Sequence, residues 1–168
     1  MKKAAIAAIA AVAAAAALAA CASTQAAPAE SHIFVMRHLH KAADPQDPGL
    51  TPQGRACAQQ LARFLADQGI SAIYASTTRR AQETAAPLAA ARGLTTKSYA
   101  PADMAGVAAR AQEEAGSVLI VGHSNTVPEI VQGVGGTRPA PIDESRYADV
   151  WRVTRGGGGT LAMTVPGC

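Results

Sequence analysis

Three short apolar segments, each followed directly by polar and charged residues, constrain the fold of this chain more than any other feature. The segments are Ile33 to Met36, Ser71 to Ala75 and Ser117 to Val121. Each has the length of a buried strand, and helix-like stretches lie between them. Strands that alternate with helices favour a three-layer α/β/α sandwich with a mainly parallel sheet. We predict this fold class for a single domain over residues 31–168.

Capping residues and apolar periodicity locate the helices. Thr51 and Pro52 begin the clearest one, which carries an apolar stripe and stops at Gly69. Alanine-rich stretches indicate further helices, and Pro87 is expected to kink or divide the one that contains it. These other helices are predicted over Arg79 to Arg92, over Ala102 to Ala115 and from a start near Thr126.

Two more strands are predicted towards the C-terminal end. Ala148 to Thr154 and Thr160 to Val165 have the length and composition of strands, and Gly156 to Gly159 form a flexible hairpin connection between them. No Lys-Ser/Thr pair follows this glycine run, so it does not indicate a nucleotide-binding loop.

The first 20 residues differ in composition from the rest of the sequence. Lys2 and Lys3 precede 17 consecutive Ala, Ile, Val or Leu residues, Ala4 to Ala20. This run is shorter and less apolar than a spanning helix needs, which is typical of a signal peptide. It ends in Leu18-Ala19-Ala20-Cys21, which resembles the lipobox of bacterial lipoproteins. The resemblance implies a lipoprotein signal peptide over residues 1–20 and a lipid on Cys21.

Residues 21–30 are then the lipidated cysteine and a small, polar linker. Ala22, where many inner-membrane lipoproteins have Asp, favours the outer membrane. We therefore expect a domain that faces the periplasm and is held at the membrane by its lipid. An ordinary secretory signal followed by a chance cysteine is the alternative.

Removal of the leader also changes the charge. The full chain has 15 basic and 12 acidic side chains, and without Lys2 and Lys3 the basic count is 15 − 2 = 13. A nearly neutral domain without a basic stripe gives no electrostatic basis for binding nucleic acid. We expect no nucleic-acid partner.

Each of the three predicted strands is followed by arginine, by histidine or by both. Arg37 and His38 follow the first, Arg79 and Arg80 the second, and His123 the third. In parallel sheets, ligands bind at the carboxyl ends of the strands. Guanidinium groups match phosphate oxygens, and an imidazole can act as a nucleophile without a metal. This set of side chains favours a site for a phosphate monoester.

The same segments resemble the histidine phosphatase superfamily, which includes phosphoglycerate mutases and acid phosphatases. The resemblance runs from about His32 to about Gly133 and implies a phosphoglycerate mutase-like fold without a cofactor. The motifs that carry it are Val35-Met36-Arg37-His38, Leu50-Thr51-Pro52-Gln53-Gly54-Arg55, Tyr74-Ala75-Ser76, Arg80-Ala81-Gln82-Glu83-Thr84-Ala85 and Val121-Gly122-His123-Ser124-Asn125.

The resemblance also implies roles for individual residues. His38 is the nucleophile that becomes phosphohistidine, and Arg37, Arg80 and His123 bind the phosphoryl group. Arg80 is preferred to Arg79 because it directly precedes the Ala-x-x-Thr-Ala stretch. Fixed cations stabilise the charge of the transition state, and they also disfavour protonation of His38. His123 is expected to act best when protonated.

The sequence offers three candidates for the acid that protonates the leaving group. Asp103 lies in the connection where related enzymes often place their acid, although it also fits the N-cap of the following helix. Asp44 and Asp47 are weaker candidates. His40 departs from the Glu that often stands two residues after the nucleophile, which affects the expected substrate contacts but not the phosphoryl pocket.

Two other catalytic patterns are present only in part. Gly122 to Thr126 approaches the Gly-x-Ser-x-Gly elbow of serine hydrolases, but Thr126 replaces the last glycine and no His follows position 123. Cys57 and Arg63 match Cys-x5-Arg, but the residues between them continue a helix, so Cys57 is expected to be a buried side chain. Pairing of Cys57 with Cys168 stays open, because the sequence does not fix their distance.

The predicted activity is therefore metal-independent, extracytoplasmic hydrolysis of a phosphate monoester, either a small molecule or a phosphoprotein. The alternative is a non-enzymatic lipoprotein that binds a metal or an anion. In that case His38 and His40, together with His32 or His123, would be the metal ligands. A metal site would leave Arg37 and Arg80 without a role and would place cations beside a cation, which favours the phosphatase.

Overall fold

The computed structural model describes residues 30–44 and 46–168. The predicted signal peptide, Cys21 and nearly all of the linker lie outside these residues. The strands are β1 (His32–Arg37), β2 (Ile70–Ser76), β3 (Lys97–Tyr99), β4 (Ser117–Gly122), β5 (Asp149–Thr154) and β6 (Thr160–Thr164). The helices are α1 (Pro52–Phe64), α2 (Arg79–Arg92), α3 (Met104–Glu113) and α4 (Val127–Gly133).

The six strands form one sheet in the order β3-β2-β4-β1-β5-β6. β1, β2, β3 and β4 pair in parallel, whereas β5 is antiparallel to β1 and β6 is antiparallel to β5. The predicted mainly parallel sheet is therefore confirmed. β4 lies between β1 and β2, so the ends of the three strands that carry the predicted site are neighbours.

Helices cover both faces of the sheet and make the three predicted layers. Phe34 and Met36 of β1 pack in the cluster that contains α1 and α2, and Ile33 and Val35 pack in the cluster that contains α3 and α4. Successive residues of a strand point to opposite faces. Because both faces are covered, β1 is apolar throughout its interior rather than alternating.

Local differences from the predictions have local causes. α1 ends at Phe64 rather than at Gly69, because Leu65 caps it and tight turns follow. Gly69 itself adopts a φ of +63° directly before β2. β3 was not predicted, since its three residues lie at the edge of the sheet and two of them are exposed.

Pro87 does not divide α2, which is one continuous helix over Arg79–Arg92. Proline removes one backbone hydrogen bond and leaves the carbonyl four residues earlier without its partner. Pro87 is only half-buried and Ala86 beside it is exposed. Water can therefore solvate the backbone on this side of the helix, which lowers the cost of the interruption. Of the two expected effects of Pro87, a kink or a division, the division does not occur, and the kink stays a prediction.

A disulfide joins Cys57 of α1 to Cys168 at the end of the chain, with their Cα atoms 5.5 Å apart. The bond spans a sequence separation of 111 residues. It also explains why the partial Cys-x5-Arg pattern carries no chemistry, because a bonded, buried helical cysteine supplies no thiolate.

Replacing both cysteines by serine should lower the free energy of unfolding by about 4 kcal/mol, because a cross-link over a long loop restricts the unfolded chain. Urea denaturation measured by circular dichroism tests this. A reductant should destabilise the wild-type protein by a similar amount and leave the double variant unchanged. Equal stability of the wild type before and after reduction of the disulfide would contradict the prediction.

Candidate active site

Four predicted side chains meet at the carboxyl ends of β1, β2 and β4. Arg37 ends β1 and His38 follows it, Arg80 lies in the first turn of α2 after β2, and His123 follows β4. The ring centroids of His38 and His123 are 5.4 Å apart. Nη2 of Arg80 lies 3.4 Å from Nδ1 of His123. Arg37, His38 and His123 are all buried.

His38 is held in a defined tautomer. Its Nδ1 lies 2.8 Å from the carbonyl oxygen of Leu39, which can only accept, so Nδ1 carries the proton. Nε2 then bears the free lone pair, and it makes no hydrogen bond within the part of the chain that the structure describes. Burial, aided by the charges of Arg37 and Arg80, lowers the pKa of His38 to about 3. The predicted effect of the arginines is present, but burial is the larger cause.

His123 is neutral in the same setting. A guanidinium can only donate, so Nδ1 of His123 accepts from Arg80 and its Nε2–H donates to Ser76 Oγ at 2.9 Å. Burial, followed by the charges of Arg80 and Arg37, lowers the pKa of His123 to about 4. The expected protonated form is therefore not the form of the free protein at neutral pH. A bound anion would raise this pKa.

Arg37 is the most heavily engaged side chain of the site. Its Nη1 donates to three backbone carbonyls, those of Asp143, Glu144 and Arg146, at 3.2, 2.8 and 3.0 Å. Its Nη2 donates to the Glu144 carboxylate at 2.6 Å. Its Nε is buried and has no hydrogen-bond partner among residues 30–44 and 46–168. Nε of Arg80 is buried in the same way.

The residues that hold Arg37 belong to a loop, residues 143–147, that was not predicted to be part of the site. Tyr147 lies under the Arg37 guanidinium at 4.3 Å and stacks on His40 at 4.2 Å. Ala148, directly after it, is buried and has a φ of +66°. Such a conformation is unfavourable for a residue with a Cβ. It turns the chain from this loop into β5.

The carboxylate of Glu144 is the acidic group nearest to the buried cations. Besides Arg37, it accepts a short hydrogen bond from Ser124 Oγ. The hydrogen bond from Ser124, followed by the charge of Arg37, lowers the pKa of Glu144 below its usual range. The segment Asp143-Glu144-Ser145 has no apolar periodicity and follows no strand, so no sequence signal pointed to it.

Other residues of the predicted motifs hold the loops of the site in position. Thr84 Oγ1 donates to the Arg80 carbonyl and accepts from the Leu39 backbone N–H at 3.0 Å, which joins α2 to the residue after His38. Glu83 accepts from the Leu50 backbone N–H at 2.7 Å. The Arg80-to-Ala85 motif therefore supplies supports for the loops as well as one cation.

The two arginines at the start of α2 differ in position. Arg79 is exposed and pairs with Glu83, whereas Arg80 is one-fifth exposed and lies against His123. The structure thus places Arg80, rather than Arg79, with the other site residues.

The candidate acids also separate. Both oxygens of Asp103 are engaged, since it accepts from Gly106 N at 3.1 Å as the N-cap of α3 and from Arg110 at 2.9 Å. Among the described residues, no hydrogen bond joins Asp103 to the four site residues. Asp44 accepts from the backbone of Gln46. Asp47 forms an ion pair with Arg80 at 3.6 Å. A role of Asp47 as the catalytic acid, like that of Asp103, stays a prediction.

Metal ligation finds little support in these residues. Within the described segments, no group of three or more His, Cys, Asp or Glu side chains is placed to hold a metal ion. His32 begins β1 at the opposite end from His38. His40 stacks on Tyr147 rather than approaching His123. Independence from metals stays a prediction that requires measurement.

Comparisons with known proteins agree with this arrangement. The model of the histidine phosphatase superfamily (branch 1) matches residues 33–100. This range holds Arg37, His38 and Arg80, and His123 lies beyond it. No curated protein sequence matches the chain.

Solved structures share the fold. The protein histidine phosphatase SixA, complexed with tungstate, is 25% identical, and the similarity covers 79% of this chain and 96% of that chain with a TM-score of 0.63. A mycobacterial glucosyl-3-phosphoglycerate phosphatase is 14% identical, with 80% and 97% covered and a TM-score of 0.55. A phosphoserine phosphatase from Entamoeba histolytica, in complex with 3-phosphoglyceric acid, is also 14% identical, with 79% and 95% covered and a TM-score of 0.55.

The mainly parallel α/β sandwich, with a buried imidazole that feels the charges of Arg37 and Arg80, and the comparisons with known proteins together support an enzyme of the phosphomonoesterase class. In the family-model match and in its fold, the chain is similar to the histidine phosphatase superfamily. The phosphoglycerate mutase-like fold predicted from the sequence is confirmed.

The lowered pKa values of the two imidazoles predict a pH dependence of stability. In the unfolded chain a histidine titrates near 6.5, so the unfolded state takes up protons first as the pH falls. The stabilisation is full above about pH 6.5 and is lost as the pH falls towards 4 for His123 and 3 for His38. Each imidazole should contribute a loss of about 2 kcal/mol between pH 7 and pH 5.

Urea denaturation at pH 7 and pH 5 measures this loss. His38→Gln and His123→Gln should each reduce the difference between the two pH values, because glutamine does not titrate. Most carboxylates titrate below this window. An unchanged difference in both variants would contradict the lowered pKa values.

Proposed function

We propose that this protein hydrolyses phosphate monoesters through a phosphohistidine intermediate on Nε2 of His38, without a metal ion. The observation that carries the proposal is the fixed tautomer of His38, whose Nδ1–H donates to the Leu39 carbonyl while Nε2 keeps its lone pair beside two guanidinium groups. A neutral imidazole at neutral pH is a ready nucleophile.

In the first step, Nε2 of His38 attacks phosphorus, an N–P bond forms and the P–O bond to the leaving group breaks. Arg37 and Arg80 stabilise the charge on the phosphoryl oxygens. The buried Nε–H groups of both arginines support this role, because a phosphoryl oxygen would supply the partner that each lacks among the described residues. The leaving-group oxygen takes up a proton and departs as an alcohol.

In the second step, water attacks phosphorus, the N–P bond breaks and inorganic phosphate forms while Nε2 recovers its lone pair. The proton donor of the first step, once deprotonated, can accept the proton of this water. Asp103 is the donor proposed from the sequence, although Gly106 and Arg110 engage its carboxylate in this conformation. Asp47, in an ion pair with Arg80, is the alternative.

The substrate is proposed to be a small-molecule phosphate ester or a phosphorylated protein side chain. A cavity of about 470 Å³ opens beside Arg80 and His123, between the start of α3 and the start of α4. Its size is in the range of small-molecule sites. Similarity to a protein histidine phosphatase extends the range of candidate substrates to phosphohistidine proteins.

His38→Asn should reduce the hydrolysis of p-nitrophenyl phosphate at least about a thousand-fold and abolish labelling by radioactive substrate, because the variant has no nucleophilic nitrogen. The assay should be run throughout in EDTA, which the wild-type activity should survive. His32→Asn is the matched control, since His32 lies at the other end of β1.

Retained turnover in folded His38→Asn would overturn the nucleophile, and loss of the wild-type activity in EDTA would overturn metal independence. A wild-type protein that binds inorganic phosphate but hydrolyses no ester in a panel would instead support the alternative, an anion-binding lipoprotein.

We also propose that the domain works outside the cytoplasm, tethered by a lipid on Cys21. The disulfide between Cys57 and Cys168 supports an oxidising compartment. The apolar leader that precedes Cys21 supports export. None of the helices that the structure describes has the length and apolar character needed to cross a membrane.

Cys21→Ala should move the full-length protein from the membrane fraction to the soluble periplasmic fraction of a bacterial host, because the site of lipid attachment is lost. Fractionation followed by immunoblotting measures this, and labelling with a fatty acid should disappear in the same variant. Ser23→Ala is the control and should stay with the membrane. Unchanged fractionation of Cys21→Ala would refute the anchor.

A further inference from the structure

We infer that Glu144 determines leaving-group specificity and favours substrates whose leaving group carries an ammonium or another cationic N–H donor. This inference rests on the proposed function, because it concerns the alcohol that His38 displaces. Three observations carry it: the contacts of the Glu144 carboxylate, the cavity that it lines and the balance of charge around the phosphoryl site.

The Glu144 carboxylate lies at the boundary of the phosphoryl site. One oxygen accepts from Arg37 Nη2 at 2.6 Å and the other accepts from Ser124, the residue directly after His123. The Glu144 side chain is nevertheless 72% exposed, whereas that of Arg37 is 2% exposed. A substrate bound at Arg37 can therefore reach the outer side of this carboxylate.

A cavity of about 330 Å³ extends from this boundary. Pro128, Pro141 and Ile142 contribute apolar wall, and Ser124, Arg138 and Glu144 contribute polar atoms. This combination of apolar wall and few polar groups suits a small organic group rather than a second phosphate. Since Ser124 and Glu144 belong both to the cavity and to the edge of the site, a leaving group attached to the bound phosphoryl group can enter it.

Each arginine of the phosphoryl site has a carboxylate partner before substrate binds. Arg37 pairs with Glu144 and Arg80 pairs with Asp47. His38 and His123 add no charge, because their pKa values are lowered to about 3 and about 4. A phosphate ester dianion therefore adds two negative charges beside two arginines that are already paired.

Two further cations, Lys41 near Glu144 and Arg138 in the wall of the cavity, are solvated. Lys41 is exposed, and its charge contributes to the lowered pKa of Glu144. Arg138 is exposed and donates to Gln132 at 3.1 Å. Exposed charges are screened by water and salt, so Lys41 and Arg138 offset only part of the negative charge that the phosphate ester adds.

Substrate binding changes the partner of Glu144. The Nε–H of Arg37, unpartnered among the described residues, and the Nη2–H that donates to Glu144 can both donate to an anion. An incoming phosphoryl group therefore competes with Glu144 for Nη2. Arg37 then neutralises the phosphoryl charge rather than that of Glu144. An ammonium on the leaving group restores a partner for Glu144, whereas a carboxylate there is repelled.

Two substrates of similar size test the inference. Phosphoethanolamine and phosphoglycolate both have two-carbon leaving groups, one with an ammonium and the other with a carboxylate. The wild-type protein should show a higher kcat/KM for phosphoethanolamine. Glu144→Gln should lower the ratio of the two kcat/KM values at least about tenfold, because it removes the charge and keeps the shape.

Two variants serve as controls. Glu144→Asp keeps the charge and should keep the preference for phosphoethanolamine. Glu129→Gln removes an equal charge from an exposed position of α4, where no described contact involves the side chain, and should leave the ratio unchanged.

A wild-type preference for phosphoglycolate overturns the inference, and so does an unchanged ratio in Glu144→Gln. A uniform rise in activity on both substrates would show instead that Glu144 only competes with phosphate for Arg37. If Glu144→Gln is too slow to assay, the wild-type preference and its retention in Glu144→Asp decide the question. Absence of activity towards every ester, p-nitrophenyl phosphate included, would be a failure of the proposed function and not of this inference.

Discussion

The buried guanidinium of Arg37 is the constraint on which the rest of the site depends. A charge taken out of water is strongly unfavourable unless hydrogen bonds and an opposite charge compensate for it. Here three backbone carbonyls of the 143–147 loop and the Glu144 carboxylate provide that compensation. Because Arg37 ends β1, satisfying its donors fixes the loop over the carboxyl edge of the sheet. The cation is thus held in place before any anion arrives.

The same environment sets the protonation of the two imidazoles. His38 and His123 lie among buried apolar strands and beside guanidinium groups, so both lose their proton at a pH well below neutrality. The Leu39 carbonyl selects the tautomer of His38, and Thr84 positions the Leu39 backbone. A neutral imidazole in this tautomer already has a free lone pair on Nε2 and needs no separate base to remove a proton from it.

The sequence predicted the fold and four side chains of the site for a physical reason. Buried parallel strands read as short apolar runs, and their carboxyl ends meet at one edge, so the residues after Met36, Ser76 and Gly122 had to lie close together. The glycine run between β5 and β6 predicted a hairpin connection, and Gly156 in this run adopts a left-handed conformation. Both signals are local.

Other features depend on contacts between distant segments and left no local signal. Glu144 approaches Arg37 across 107 positions, from a loop without periodicity. The pairing of Cys57 with Cys168 required a distance that only the packing of α1 supplies. Pro87 does not divide α2, and the sequence could not show this because the effect of a proline on a helix depends on solvent access. The short β3 strand forms only because β2 offers it a free edge.

The position of β4 has a consequence for how activity is acquired during synthesis. His38 is fixed by a backbone hydrogen bond to the Gly122 carbonyl at 2.9 Å, and β4 must insert between β1 and β2 before that bond exists. A nascent chain that stops before residue 117 therefore contains His38 but not the strand that positions it. The strand order makes the position of His38 depend on a segment that is synthesised much later.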